Sequence, residues 1–97
     1  MNIGKAIQTL RTKKNITQKE LAEKIGITQT GLSYIETGVK HPSENSLEKI
    51  ANALGSSVAF IKLASLDLDK DVPQDKRAEF DELFPDFVAT MQRLLIN

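Results

Sequence analysis

The 97-residue sequence contains no cysteine, and its only histidine is His41. The first absence excludes a disulfide scaffold and a thiolate metal site. The second leaves little room for zinc chemistry or histidine-based acid–base catalysis, so neither a metal nor a cofactor is expected. No apolar run approaches the length that spans a bilayer, and Met1-Asn2-Ile3-Gly4-Lys5 lacks the continuous apolar stretch of a secretory signal. A cytoplasmic protein with no membrane partner is the expectation. Gly-rich phosphate loops and nucleophile–base sets are also missing. Asp67, Asp69 and Asp71 stand two apart, but they lack the glycine and terminal glutamate of a calcium loop and read better as a solvated connection. Together these absences argue against an enzyme.

Net charge is absent too, at +0 overall, but the total conceals an asymmetry. Residues 1–66 carry nine Lys or Arg against five Asp or Glu, whereas residues 67–97 carry four against eight. The first segment therefore suits an anionic partner and the second does not. With 40% apolar residues, the chain has room for one compact domain plus an appendage, not for two independent cores.

No stretch alternates with period two over a useful length, so no sheet is expected and the chain reads as all-α. Ile3, Ala6, Ile7 and Leu10 recur at helical spacing behind Asn2, a suitable N-cap, and predict a first helix over residues 3–14. Thr17-Gln18-Lys19-Glu20 fits a capping box that starts a second helix, which carries Leu21, Ala22 and Ile25 to a stop at Gly26. Thr28 caps a third, with Leu32 and Ile35 inward and Gly38 closing it. Pro42-Ser43 opens a fourth, with Leu47, Ile50, Ala51 and Leu54 as its stripe. Ser57 precedes a short fifth, with Val58 and Ile61 inward. From Asp67 to Pro73 the chain reads as a polar connection. Beyond it Phe80, Leu83, Phe84, Phe87, Val88, Met91, Leu94 and Leu95 recur three or four apart. Pro85 interrupts this stripe without shifting its phase, which predicts a kinked helix or two short collinear ones.

Residues 18–37 carry the most specific pattern. Two short helices crossing steeply need a small residue at their contact, a turn residue that tolerates positive φ, and a shared apolar core. Ala22, Gly26 and the set Leu21, Ile25, Ile27, Leu32 and Ile35 supply all three at the required offsets. With Thr17-Gln18-Lys19-Glu20-Leu21-Ala22, Gly26-Ile27-Thr28-Gln29, Tyr34-Ile35-Glu36-Thr37-Gly38 and the Pro42–Leu54 stretch, the sequence resembles the Cro/CI-like (XRE-type) helix-turn-helix regulators. The resemblance covers roughly residues 3–64. It implies a five-helix lambda-repressor-like DNA-binding domain, placed at residues 1–66, with a C-terminal helical extension over 67–97. From these 97 residues the self-cleaving domain found on some phage repressors is not expected.

The resemblance also implies that the third helix enters the major groove of double-stranded DNA. Gln29, Thr30, Ser33 and Tyr34 then become base-reading candidates, on a polar and uncharged face opposite Leu32 and Ile35. Outside such a motif the same residues would read as an ordinary solvated helix face. Gln18, Thr28, Thr37, Lys40, His41 and Asn45 are candidates for phosphate contacts, with Lys13 and Lys14 as further ones. Arg11 and Glu36 are expected to meet as a structural ion pair; the alternative is two independent surface charges of little worth.

One module reads few bases, so a homodimer on a pseudo-palindromic operator is expected, acting as a repressor. The stripe of residues 80–95 offers dimer contacts, fringed with Asp and Glu that would keep this end away from the duplex. Alternatively the stripe folds back over Val58, Ile61 or Leu66. It can also bind another protein, as in an antitoxin-like module, with DNA binding secondary.

Overall fold

The computed structural model describes residues 2–96; Met1 and Asn97, the outer bounds of the two expected segments, lie outside the described residues. Eight α-helices follow one another among them, with no strand. They are α1 (Ile3–Lys13), α2 (Gln18–Ile25), α3 (Gln29–Thr37), α4 (Glu44–Ala53), α5 (Val58–Ala64), α6 (Leu68–Asp71), α7 (Arg77–Leu83) and α8 (Phe87–Ile96). A 3-10 turn, Gln74–Lys76, leads into α7.

Local chemistry sets most of these boundaries. Asn2, Thr17, Thr28, Ser43 and Ser57 each accept a backbone N–H from the first turn of the helix they precede. Such caps satisfy donors that the helix itself leaves free and contribute about 0.5–2 kcal/mol each. Gly26 and Gly38 close α2 and α3 in the left-handed region, at φ 76° and 85°. The five helices α1–α5 surround one core in which Ile7, Leu21, Leu32, Leu47, Ile50, Leu54 and Ile61 are fully buried. Each such side chain contributes roughly 1.5–3 kcal/mol relative to exposure.

The C-terminal third departs from the sequence reading in two ways, in the connection after Leu66 and in the apolar stripe. The connection after Leu66 contains the one-turn helix α6, closed on itself by hydrogen bonds from Asp69 N to Asp67 Oδ1 and from Asp67 N to Asp71 Oδ2, and its Leu68 is buried. Arg77 ties α6 to α7 by donating to Asp69 and Asp81, and these bonds raise its pKa above the ordinary value. At Pro85 the two expected alternatives are decided in favour of two short helices. Phe84 leaves the helical region at φ −128°, ψ 64°, Asp86 adopts φ 59°, and two separate helices result. The cause is that Pro85 has no N–H to give a continuing ladder, and Asp is among the few residues that tolerate the left-handed conformation.

Finally, the apolar stripe divides. Met91 and Leu95 point into this chain's own core, which removes them from the expected dimer contacts. They bury there because α8 packs along α1, so this part of the stripe folds back on the domain and joins the cluster that holds Ile61. Phe80 and Phe87 are half-buried, with ring centroids 5.4 Å apart in an edge-to-face arrangement. Leu83, Phe84, Val88 and Leu94 stay exposed.

Candidate nucleic-acid interface

The turn between α2 and α3 is built residue by residue. Glu20 N donates to Thr17 Oγ1 at 3.1 Å while Thr17 N donates to Glu20 Oε1 at 3.4 Å, so the capping box is closed on both sides. Ala22 is buried, and the Ile27 N–H reaches back to its carbonyl at 3.0 Å. A Cβ on Gly26 would meet nothing within 4 Å, so this glycine answers the backbone's positive φ and not a shortage of space. Leu21, Ile25, Leu32 and Ile35 are buried beneath the turn, and Ile27 packs partly buried against them. With this scaffold fixed, the direction of α3 is fixed.

The outward face of α3 presents Gln29, Thr30, Tyr34 and Thr37 exposed and Ser33 half-buried. Among the described residues no salt bridge engages any of them, and Gln29, Thr30 and Tyr34 have no side-chain hydrogen bond. Their amide and hydroxyl groups are thus available to the donor and acceptor pattern of base edges. Thr37 differs: its hydroxyl donates to the Ser33 carbonyl at 2.9 Å, which leaves it only as an acceptor toward a partner.

Beside that face lies a groove of ≈ 490 Å³ between the starts of α3 and α4, lined in part by Thr28, Lys40, His41, Ser43 and Ser46. Thr28 accepts from Gly31 N at 3.0 Å, so its own hydroxyl hydrogen stays free to donate. Lys40 and His41 are exposed, as is Asn45 on the first turn of α4. Hydroxyls, an ammonium and two helix starts on one side of α3 form a cradle suited to an anion. Ser46 was not legible as a lining residue, because only the approach of α4 to α3 brings it there. Lys13 and Lys14 sit at the far end of α1, next to α5 and α8, and do not join this group.

Behind α3, Arg11 and Glu36 meet in a bidentate pair, Nε–Oε2 at 2.7 Å and Nη2–Oε1 at 3.0 Å, with the Glu36 side chain almost wholly buried. Arg11 Nη1 also donates to the Ile16 carbonyl at 2.8 Å. Gln18 joins them: its Nε2 donates to Glu36 Oε1 at 2.9 Å. Gln18, a phosphate candidate from the sequence, is half-buried and gives one of its two amide hydrogens to Glu36, which leaves the other free. The sequence also gave no hint of Gly4. A Cβ there would collide with the Ile35 carbonyl oxygen and lie 2.7 Å from that of Glu36, so glycine lets α1 approach the end of α3.

Capped helices, a left-handed turn and a polar outer face on α3 define a helix-turn-helix protein. Residues 7–61 match the family model described as "Helix-turn-helix", and the chain belongs to the XRE-type helix-turn-helix family, whose members are transcription regulators and not enzymes. It is 38% identical over 61 residues to the immunity repressor protein of Bacillus phage phi105, covering 63% of this chain and 42% of that protein. It is 34% identical over 70 residues to the SPbeta prophage-derived HTH-type transcriptional regulator YonR of Bacillus subtilis (strain 168), covering 69% and 65%. It is 44% identical over 55 residues to multiprotein-bridging factor 1 of Debaryomyces hansenii, covering 57% and 37%. In each case the match spans less than two thirds of the relative's length. Among solved structures, a chain of a SinR protein/SinI protein complex superposes with a TM-score of 0.59 at 31% identity, over 91% of this chain and 80% of that one. The all-α fold expected from the sequence is the fold observed.

Proposed function

We propose that this protein is a sequence-specific double-stranded DNA-binding transcription regulator, acting as a repressor on a pseudo-palindromic operator. The observation that carries this reading is the face of α3. Gln29, Thr30, Ser33 and Tyr34 project from a helix held rigidly from behind, polar, uncharged and free of competing ion pairs. Gln29 at the helix start suits bidentate pairing with adenine, and Thr30 and Ser33 suit base edges or a thymine methyl. Thr28, Lys40, His41 and Asn45, with Ser43 and Ser46 beside them, hold the flanking phosphates. The likeness to an immunity repressor supports the sign of regulation.

The protein acts as a homodimer through Leu83, Phe84, Val88 and Leu94, the part of the apolar stripe that its own core leaves exposed. Two copies double the bases read and match the two-fold symmetry of an inverted repeat. A second reading has its own support: the solved relative is one component of a complex between two proteins, and the same exposed residues would suit a foreign helix. Selection of bound duplexes from a random DNA pool tests both. An enriched inverted repeat with half-sites near one helical turn apart supports the dimeric regulator. No enrichment at low salt would leave the protein-interaction reading in front.

A further inference from the structure

We propose that the groove between the end of α1, the start of α5 and the end of α8 receives the α7–α8 corner of a second copy of this chain, with the two α8 helices antiparallel. The inference rests on the homodimer proposed above and gives it a register. The groove, of ≈ 450 Å³, has Leu10, Leu54 and Phe60 on its floor and the exposed Lys13, Lys14 and Leu94 on its rim. Arg93 stands beside Lys13 and Leu94. Among the described residues none of these three cations enters a salt bridge. Lys13 keeps its charge while giving a hydrogen to the Leu94 carbonyl. An exposed leucine and an apolar groove are thus bordered by uncompensated positive charge.

The corner is the converse. Leu83 and Phe84 are exposed, and Phe84 is held against Phe80 with ring centroids 5.1 Å apart. Glu82 and Asp86 flank them, exposed and, among the described residues, also in no salt bridge. An apolar knob flanked by carboxylates matches an apolar groove rimmed by cations. Both halves of the match lie on one chain, which singles out a second copy as the occupant.

The layout of α8 sets the direction. Phe87, which meets Phe80, and Leu94 are seven residues apart, so they share one edge of the helix. They stand about 10 Å apart along it. One end of that edge is aromatic and acidic, the other aliphatic and basic. Parallel pairing of two such edges would bring like charges together. Antiparallel pairing brings each corner to the other copy's groove, and a two-fold axis makes both contacts at once and closes the assembly at two copies.

Sedimentation equilibrium without DNA tests the docking on the full chain, with Glu82→Lys and Arg93→Glu. Both positions are exposed and lie outside the DNA-reading face, and an unchanged far-UV circular dichroism spectrum checks the fold of each variant. The dimer contains the contact twice, and each reversal replaces attraction by repulsion, so either variant alone should dimerise about tenfold more weakly. An equimolar mixture of the two variants should recover most of the unsubstituted affinity, because both contacts of the mixed dimer again join opposite charges. If either variant dimerises unimpaired, or the mixture is no better than its components, this docking is overturned while the homodimer stands through another face. An unsubstituted protein that stays monomeric would overturn the homodimer as well, and leave the groove to a different protein.

Discussion

Lys13, in the last turn of α1, donates through Nζ to the main-chain carbonyl oxygen of Leu94 at 2.7 Å, across 81 residues of sequence. That carbonyl is among the last four of α8, which have no partner within their own helix and favour a nearby cation. With Met91 and Leu95 buried beside it, the contact makes α8 part of the first domain's core and not a free appendage. Leu95→Ala should therefore destabilise the whole protein by roughly 2–4 kcal/mol. Denaturant unfolding checks this; a loss within a few tenths of a kcal/mol, as expected of a surface site, would contradict it.

Gly4→Ala pushes a methyl group into the carbonyls of Ile35 and Glu36. Because those atoms are backbone, neither can move aside as a side-chain tip would. Despite the better helix propensity of alanine, the substitution should cost about 1–3 kcal/mol. It should also weaken DNA binding, since the displaced element is the end of α3. Thermal unfolding and binding to a selected duplex measure the two effects separately.

Gln29→Ala and Lys40→Ala should differ in kind. The first should relax base preference at one position per half-site, by about 1–3 kcal/mol. The second should weaken binding to all sequences and lower the salt slope by roughly one. Affinities for matched and mismatched duplexes over a range of salt concentrations resolve both.

Val88→Asp and Leu83→Asp place a charge on the exposed part of the stripe without touching the core. Both should give folded monomers by sedimentation equilibrium, with weakened binding to an inverted repeat and unchanged binding to a half-site. A dimer that persists in both would exclude this surface as the interface.

The parts of the fold decided by neighbouring residues were legible in the sequence. Thr17 with Glu20, Thr28 and Ser57 cap their helices as read, and Gly26 turns where a left-handed residue was required. The outward set on α3 followed from the spacing of Leu32 and Ile35. What the sequence hid depends on partners brought from far along the chain. Gly4 looks like any helical glycine until α3 lies against it. Gln18 and Glu36 are 18 residues apart, with no local signature linking them. Met91 and Leu95 share one periodic pattern with Val88 and Leu94, and periodicity does not say which side meets α1. The helical turn at Leu68–Asp71 was masked by its acidic residues, which serve as its own capping groups.

The most direct test is amide chemical-shift mapping by NMR as the protein is titrated with its selected duplex. The largest changes should fall on Thr28–Thr37 and on Lys40–Asn45, with α7 little affected. Changes concentrated on α7 and α8, with Gln29, Thr30, Ser33 and Tyr34 silent, would contradict the assignment of α3 as the element that reads DNA.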